Sequence, residues 1–292
     1  MKKQYLYAGV AIFFWSTLAT TAKLLLTGFS NFQVLWMSSF FAAVSLLVIN
    51  GVTGKLRLLK NYGIWDFLTL FLHGMLGIFL YHVFYYAGAQ RLLASQAFVI
   101  NYLWPILSIV FAGIVLREPM SGRKLLAVFI SFGGVAVVTG GTLATLNGEM
   151  VLGVFFCLMG AVSYGLFTTL SRTKDYDQWV AMMLHFAMTF VLTTLILAGQ
   201  KELFMPDARQ LAGFGWNGVF TMAIPNVMWV LALENGNTAK ISNLAYITPV
   251  LSLVWARIIL KESLSISCVL GLGLILLGIL VQLKEKKGRV KA

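Results

Sequence analysis

The sequence predicts an all-α membrane protein, with ten transmembrane helices arranged as two inverted five-helix repeats. Three observations predict this. Hydrophobic residues fill 59% of the 292 positions and charged residues only 11%, whereas soluble domains carry roughly 25% charged residues. The stretches Tyr102–Ser121 and Tyr246–Ser265 match without a gap at 10 of 20 positions, at a constant offset of 144 residues. The basic residues are sorted by loop, sixteen on one side of the predicted spans and six on the other.

Uncharged runs define the elements. Leu92–Leu116, Leu125–Leu146, Met150–Ser171, Gln178–Gln200 and Gln210–Leu233 each exceed 20 residues, enough for a helix to cross the hydrocarbon core. They are continuous rather than alternating, so they are helices and not barrel strands. The full set is α1 at 5–26, α2 at 31–52, α3 at 65–89, α4 at 92–116 and α5 at 123–143, then α6 at 150–171, α7 at 178–199, α8 at 211–234, α9 at 240–260 and α10 at 265–283. The run from Tyr5 to Leu26 is too long for the apolar region of a signal peptide, so α1 is a span. Gly28, Ser30 and Asn31 make the first turn. Asn147-Gly148 divides the repeats, 1–146 and 147–292.

With the N-terminus inside, the inner loops and tail hold sixteen Lys and Arg, including Lys55, Arg57, Lys60, Arg123, Lys124 and Arg172. The outer six are Lys23, Arg91, Lys201, Arg209, Arg257 and Lys261. Basic residues favour the cytoplasmic side, so both termini are expected there, in the cytoplasmic (plasma or inner) membrane. Each repeat has an odd number of helices, so the second runs upside down relative to the first. Inverted repeats are the architecture of many secondary transporters, with a substrate site near the midplane between them.

Several classes are excluded. The net charge of +12 sits in short loops and tails, which argues against nucleic acid. Cys157 and Cys268 lie inside apolar spans without disulfide or metal spacing. An enzyme would need a cluster of His, Asp or Glu, and none is visible. No phosphate-binding loop appears, so neither ATP drive nor any cofactor is expected. A channel would more naturally be a ring of identical subunits. Nothing in the sequence reads as an oligomeric state. The expected partners are the lipid bilayer and a small-molecule substrate. No Asp or Glu falls near the middle of a span, which removes the usual carboxylate proton relay. His73, His82 and His185 are left as titratable groups, for pH coupling or for structure.

The duplicated stretch supplies the candidate site. Phe98, Asn101, Pro105, Ser108 and Ala112 share one face of α4, and Ser242, Ala245, Pro249, Ser252 and Ala256 share the matching face of α9. A proline inside a helix frees a carbonyl and loosens the hydrogen-bond ladder, which makes Pro105, Pro249 and Pro225 candidate hinges. The Asn101 amide needs a cavity or a partner helix. Trp104, Tyr102 and Tyr246 offer apolar faces with one polar atom each. Further candidates to line a site are Trp15 on α1, Tyr81 and Tyr85 on α3, Tyr164 on α6, and Asn226 and Trp229 on α8, with Ser108 and Ser252 from the paired helices. On α5 and α10, Ala127, Gly134, Gly271 and Gly278 read as packing positions. Glu118, Glu262 and Glu234 lie at helix ends as ion pairs, caps or gates, Glu234 within reach of Lys240. Lys23 is placed to snorkel to the interface.

The five-plus-five duplication resembles the drug/metabolite transporter superfamily in its two-domain, EamA-type form. The resemblance covers essentially the whole chain. It rests on the Pro-centred α4 and α9, closing in Arg117-Glu118 and Lys261-Glu262, each followed by a Gly-rich helix. Asn101-Tyr102-Leu103-Trp104-Pro105 resembles the bacterial aromatic amino acid exporters. The resemblance implies a central cavity walled by α1, α3, α4, α6, α8 and α9, with α5 and α10 as a supporting pair. It implies export of amino acids, aromatic ones preferred, by alternating access. Threonine or homoserine, cysteine metabolites, purines and drug cations are the superfamily's alternative substrates.

Overall fold

The computed structural model describes residues 3–140, 147–234, 241 and 244–283, the side chains of 233, 234, 282 and 283 excepted. Among these, ten helical stretches follow one another in the expected order, and no strand occurs. Seven are long and apolar enough to cross a membrane: α1 (Lys3–Leu26), α2 (Asn31–Val52), α3 (Ile64–Arg91), α4 (Ala94–Val115), α5 (Gly122–Gly140), α6 (Gly148–Thr173) and α7 (Gln178–Gln200). The eighth, α8, is a succession of Ala208–Gly215, Trp216–Ala223 and Ile224–Glu234. The described parts of α9 and α10 are Ile247–Ile259 and Ile266–Leu283. Ser242, Lys240 and the Glu234 side chain lie outside the described residues. Large apolar side chains such as Ile114, Phe129 and Leu195 stay exposed, as lipid-facing residues should.

Local chemistry sets the helix ends. Ser30 accepts from Gln33 N at 3.2 Å while the Gln33 amide oxygen accepts from Ser30 N at 3.0 Å, a reciprocal cap that starts α2. Asn147 caps α6 through Met150 N, Asp177 caps α7 through Trp179 N and Val180 N, and Asp207 caps α8 through Gln210 N. At the other ends the duplication repeats in detail. Arg117 and Lys261 take left-handed φ of 55° and 56°. The following amides, Glu118 N and Glu262 N, each reach back to the carbonyls of Ala112 and Ala256 at 3.2 Å, closing the last turn in the same way.

Packing joins the repeats more than it divides them. α1 rests on α8 and α3 on α6; α4 rests on α6 and α1 on α9; α2 rests on α8 and α3 on α7. Each pair maps onto the other when the repeats are exchanged. α2–α7 and α5–α10 map onto themselves and so sit on the two-fold relation. The α5–α10 seam is the most extensive. A Cβ at Gly134 would stand 2.6 Å from the Gly271 carbonyl, and one at Gly271 would stand 2.6 Å from the Gly134 carbonyl. Only glycine allows the backbones this close.

Two features differ from a row of regular helices. Met75–Leu80 in α3 and Trp216–Ala223 in α8 are π-helical, and they overlap when the repeats are aligned at the 144-residue offset. Such turns often mark functional positions. The prolines of α4 and α9 do not kink a continuous helix. α4 stops at Asn101, turns through Tyr102-Leu103 and restarts at Trp104, so Pro105 occupies the first turn of a new segment. There its missing N–H breaks no bond within the new segment, though the Asn101 carbonyl four residues back loses that donor. In α9 the turn at Ala245-Tyr246 precedes a segment that begins at Ile247, with Pro249 in its first turn.

Candidate functional site

The segments after these interruptions surround a cavity of about 450 Å³, within the range typical of small-molecule sites. α3 contributes Ile78 within its π-turn and Tyr81 and His82 just after it, and α8 contributes Thr221, Met222, Asn226, Trp229 and Val230 from and beyond its own. From α4 come Phe98, Asn101, Tyr102 and Trp104, on both sides of the break, and from α9 come Ala245 and Thr248. Trp15 and Leu18 of α1 and Tyr164, Phe167 and Thr168 of α6 complete the expected helices. α5 and α10 supply no described lining residue.

The wall is mostly aromatic. Trp15 and Trp229 have ring centroids 5.5 Å apart, across the α1–α8 contact. Tyr164 meets Tyr81 at 4.8 Å and Trp104 at 5.1 Å, the latter edge to face. Into this wall Asn101 is set by one anchor, its Nδ2 donating to Tyr81 Oη at 3.1 Å. Its Oδ1 is buried without a protein partner and lies 3.3 Å from where a Cβ of Gly160 would stand, so the glycine leaves room for the amide. Asn226 donates Nδ2 to the Met222 carbonyl at 2.5 Å, one turn back. Among the described lining residues Arg172 is the single charged one, and none is Asp or Glu. Such a site can stack a planar apolar group and meet polar ends with neutral amides and hydroxyls.

Seven of the eleven expected lining residues are in the wall: Trp15, Tyr81, Asn101, Trp104, Tyr164, Asn226 and Trp229. Four are not. Tyr85 is fully buried between Tyr81 and Tyr86, at 6.0 and 5.9 Å. Ser108 donates to the Pro105 carbonyl at 2.7 Å and its own carbonyl accepts from Thr169 at 3.0 Å, so it ties α4 to α6. Ser252 is buried in α9 and Tyr246 is half-buried beside the cavity, not in its wall. Residues the sequence did not single out also line it: Leu46 of α2 and Gln178, Trp179, Met182 and Phe186 of α7. The i, i+1, i+4 and i+8 spacing of the α7 residues was the available signal, but it is the spacing of any core-facing helix.

The cavity's two ends differ. It reaches the turn between α6 and α7, where Ser171, Arg172 and Gln178 line it. There Arg172 Nη2 donates to Glu118 Oε1 at 2.6 Å. Lys55 pairs with Asp177 at 2.5 Å and lies over the Trp179 ring at 4.7 Å. At the opposite end residues 89–95 are absent from the lining and are tied together instead. The Lys23 ammonium donates to the carbonyls of Ala89 and Leu92, both at 2.6 Å, which satisfies the open C-terminal end of α3. Glu262 accepts from Ala94 N at 2.7 Å, Ser95 N at 3.1 Å and Ser95 Oγ at 2.7 Å, which satisfies the open N-terminal end of α4. Cation and anion are matched to the two ends of the α3–α4 connection. Of the histidines, His82 is in the wall with Nδ1 2.8 Å from the Ile78 carbonyl, while His185 is buried against Phe167 and its ring nitrogens have no hydrogen-bond partner among the described residues.

The sequence pattern of the EamA-like transporter family matches residues 2–140 and again residues 151–283. The chain belongs to that family. This EamA-like chain is 24% identical to an "Uncharacterized transporter" of Archaeoglobus fulgidus over 298 residues, covering 97% of this chain and 100% of the relative. It is 27% identical to the "Uncharacterized transporter YvbV" of Bacillus subtilis over 82% of this chain and 77% of that protein. It is 24% identical to the "Aromatic amino acid exporter YddG" of Ancylobacter novellus over 83% of each chain. A solved crystal structure superposes with a TM-score of 0.69 at 22% identity, covering 96% of both chains; this shows that the fold is shared. The protein is therefore an EamA-like membrane transporter and not an enzyme.

Proposed function

We propose that this transporter exports an amino acid, aromatic in preference, across the cytoplasmic membrane by alternating access. The observation that carries the reading is the cavity wall itself. Trp15, Trp104, Tyr164 and Trp229 offer ring faces for a planar side chain, and Asn101, Asn226 and Thr248 offer neutral polar groups for a zwitterion's ends. The lack of a carboxylate among the described lining residues favours a zwitterion over a drug cation, whose charge would be buried unpaired. The relation to an aromatic amino acid exporter points the same way. The excess of basic residues on the Arg172 side supports placing that end, and both termini, in the cytoplasm.

The test is uptake into proteoliposomes. Purified protein should take up labelled phenylalanine, tyrosine or tryptophan above protein-free liposomes. Asn101→Ala should lower that uptake about tenfold, the cost of roughly one hydrogen bond to a charged group, while the lost bond to Tyr81 lowers the unfolding temperature by no more than about 4 °C. Uptake equal to that of empty liposomes for all three substrates rejects the substrate assignment.

A further inference from the structure

The repeats diverge at Asn101/Ala245 and Trp104/Thr248 but keep Tyr102/Tyr246 and Pro105/Pro249. A proline has no N–H for the carbonyl four residues earlier. Pro105 therefore leaves the Asn101 carbonyl, and Pro249 the Ala245 carbonyl, without the regular helical donor. Inside a membrane such a group must find another. For Ala245 the structure shows which: Tyr102 Oη, from the other repeat, donates to its carbonyl at 2.8 Å, beside Thr248 N at 3.0 Å. The same relation read from the second repeat joins Tyr246 Oη to the Asn101 carbonyl. That bond is not made, and among the described residues Tyr246 Oη has no hydrogen-bond partner.

The asymmetry coincides with that of the cavity. Tyr102 is bonded in a state whose cavity lining reaches Arg172 at one end and includes none of residues 89–95, which Lys23 and Glu262 tie together, at the other. We propose that Tyr102 and Tyr246 are alternating latches between the repeats. Tyr102 on the Ala245 carbonyl holds the cavity closed toward the Lys23 end. Tyr246 on the Asn101 carbonyl holds it closed toward the Arg172 end in the opposite state. The proposal rests on the transporter reading. It explains why a tyrosine and a proline three residues later are kept together in both repeats while their neighbours changed. One neutral O–H···O bond is given up as its twin forms, so the two states stay close in free energy, as a carrier needs. The Asn101 carbonyl also belongs to a residue whose side chain lies in the cavity wall, so occupancy of the site and formation of the second latch share one residue.

The test reads accessibility without substrate, so a wrong substrate assignment leaves it interpretable. Thr248→Cys in the cavity wall is the reporter, in a Cys157→Ser/Cys268→Ser background, labelled by a membrane-impermeant maleimide from either face of oriented vesicles. Tyr102→Phe should raise labelling from the Lys23 face about fivefold, and Tyr246→Phe should lower it by a similar factor, as expected for one hydrogen bond. The double Tyr102→Phe/Tyr246→Phe variant should return to the parental ratio, because the two losses oppose each other. Changes in the same direction, a change with one variant alone, or a double variant that does not recover would overturn the proposal. Unfolding temperatures of the variants separate these outcomes from misfolding.

Discussion

The Glu262 carboxylate accepts both the hydroxyl of Ser95, at 2.7 Å, and its amide, at 3.1 Å. A side chain from the end of α9 thereby caps the start of α4, in the other repeat. Glu262 is only 8% exposed, so the contact is protected from water. Glu262→Ala should destabilise the protein by about 2–3 kcal/mol, as for loss of charge-assisted bonds that leaves buried donors unmet. Ser95→Ala should cost about 1 kcal/mol. Thermal unfolding in detergent measures both, and a double-mutant cycle should show coupling between them. Additive losses would mean that the two residues act separately.

Glu118 occupies the equivalent repeat position but pairs with Arg172, whose side chain is 58% exposed. Exposed pairs contribute roughly 0–1 kcal/mol. Glu118→Gln should therefore shift stability by less than about 1 kcal/mol, well below the effect of Glu262→Ala. Equal losses at the two positions would show that Glu118 has a buried role as well.

The α5–α10 seam depends on missing side chains. Gly271→Val places atoms where the Gly134 carbonyl is 2.6 Å away, and should cost about 3 kcal/mol or prevent folding. Gly273→Ala, two residues on, meets nothing within 4 Å. It should be neutral or stabilising by up to about 1 kcal/mol, from helix propensity. The pair of melting curves checks both at once.

Trp15 and Trp229 meet in the cavity wall, their rings tilted at 56° with centroids 5.5 Å apart. Trp229→Ala should raise KM for aromatic amino acids at least tenfold, from lost ring contact of about 1.5 kcal/mol or more. Small amino acids, which have no side chain to lay against the Trp229 ring, should be affected much less. Transport kinetics with phenylalanine and alanine make the comparison. A uniform rise for both would indicate general damage to the site.

Much of the cavity was legible because its residues are unusual for their setting. Asn101 stands out because an amide is costly in lipid, and Trp15, Tyr81, Tyr164 and Trp229 stand out as large amphipathic rings within spans. Trp179, Met182 and Phe186 did not, since an apolar stripe reads the same whether it faces a neighbour or a void. Tyr85 and Ser252 show the converse: polar atoms inside spans that the structure buries away from the cavity. Periodicity tells which face of a helix turns inward, but not whether the interior there is packed or empty.

Sequence alone determined that the chain is a bundle of membrane helices, that it is a duplication, and that its halves are inverted. These follow from hydrophobic length, from an in-register match and from the sorting of basic residues, each of which is a property of the chain read in one dimension. The tertiary structure decided that α4 breaks at Tyr102-Leu103 rather than bending at Pro105, that Lys23 turns inward to the Ala89 and Leu92 carbonyls, and that two glutamates at equivalent positions differ in role. It also decided that the Ala245 carbonyl is met by Tyr102 while Tyr246 is left without the matching bond. The physical reason is that equivalent positions in the two repeats meet different neighbours once the helices pack, as Glu118 meets Arg172 and Glu262 meets Ser95. Which partner each polar group finds is decided by packing between residues far apart in the chain, as with Tyr102 and Ala245, 143 positions apart.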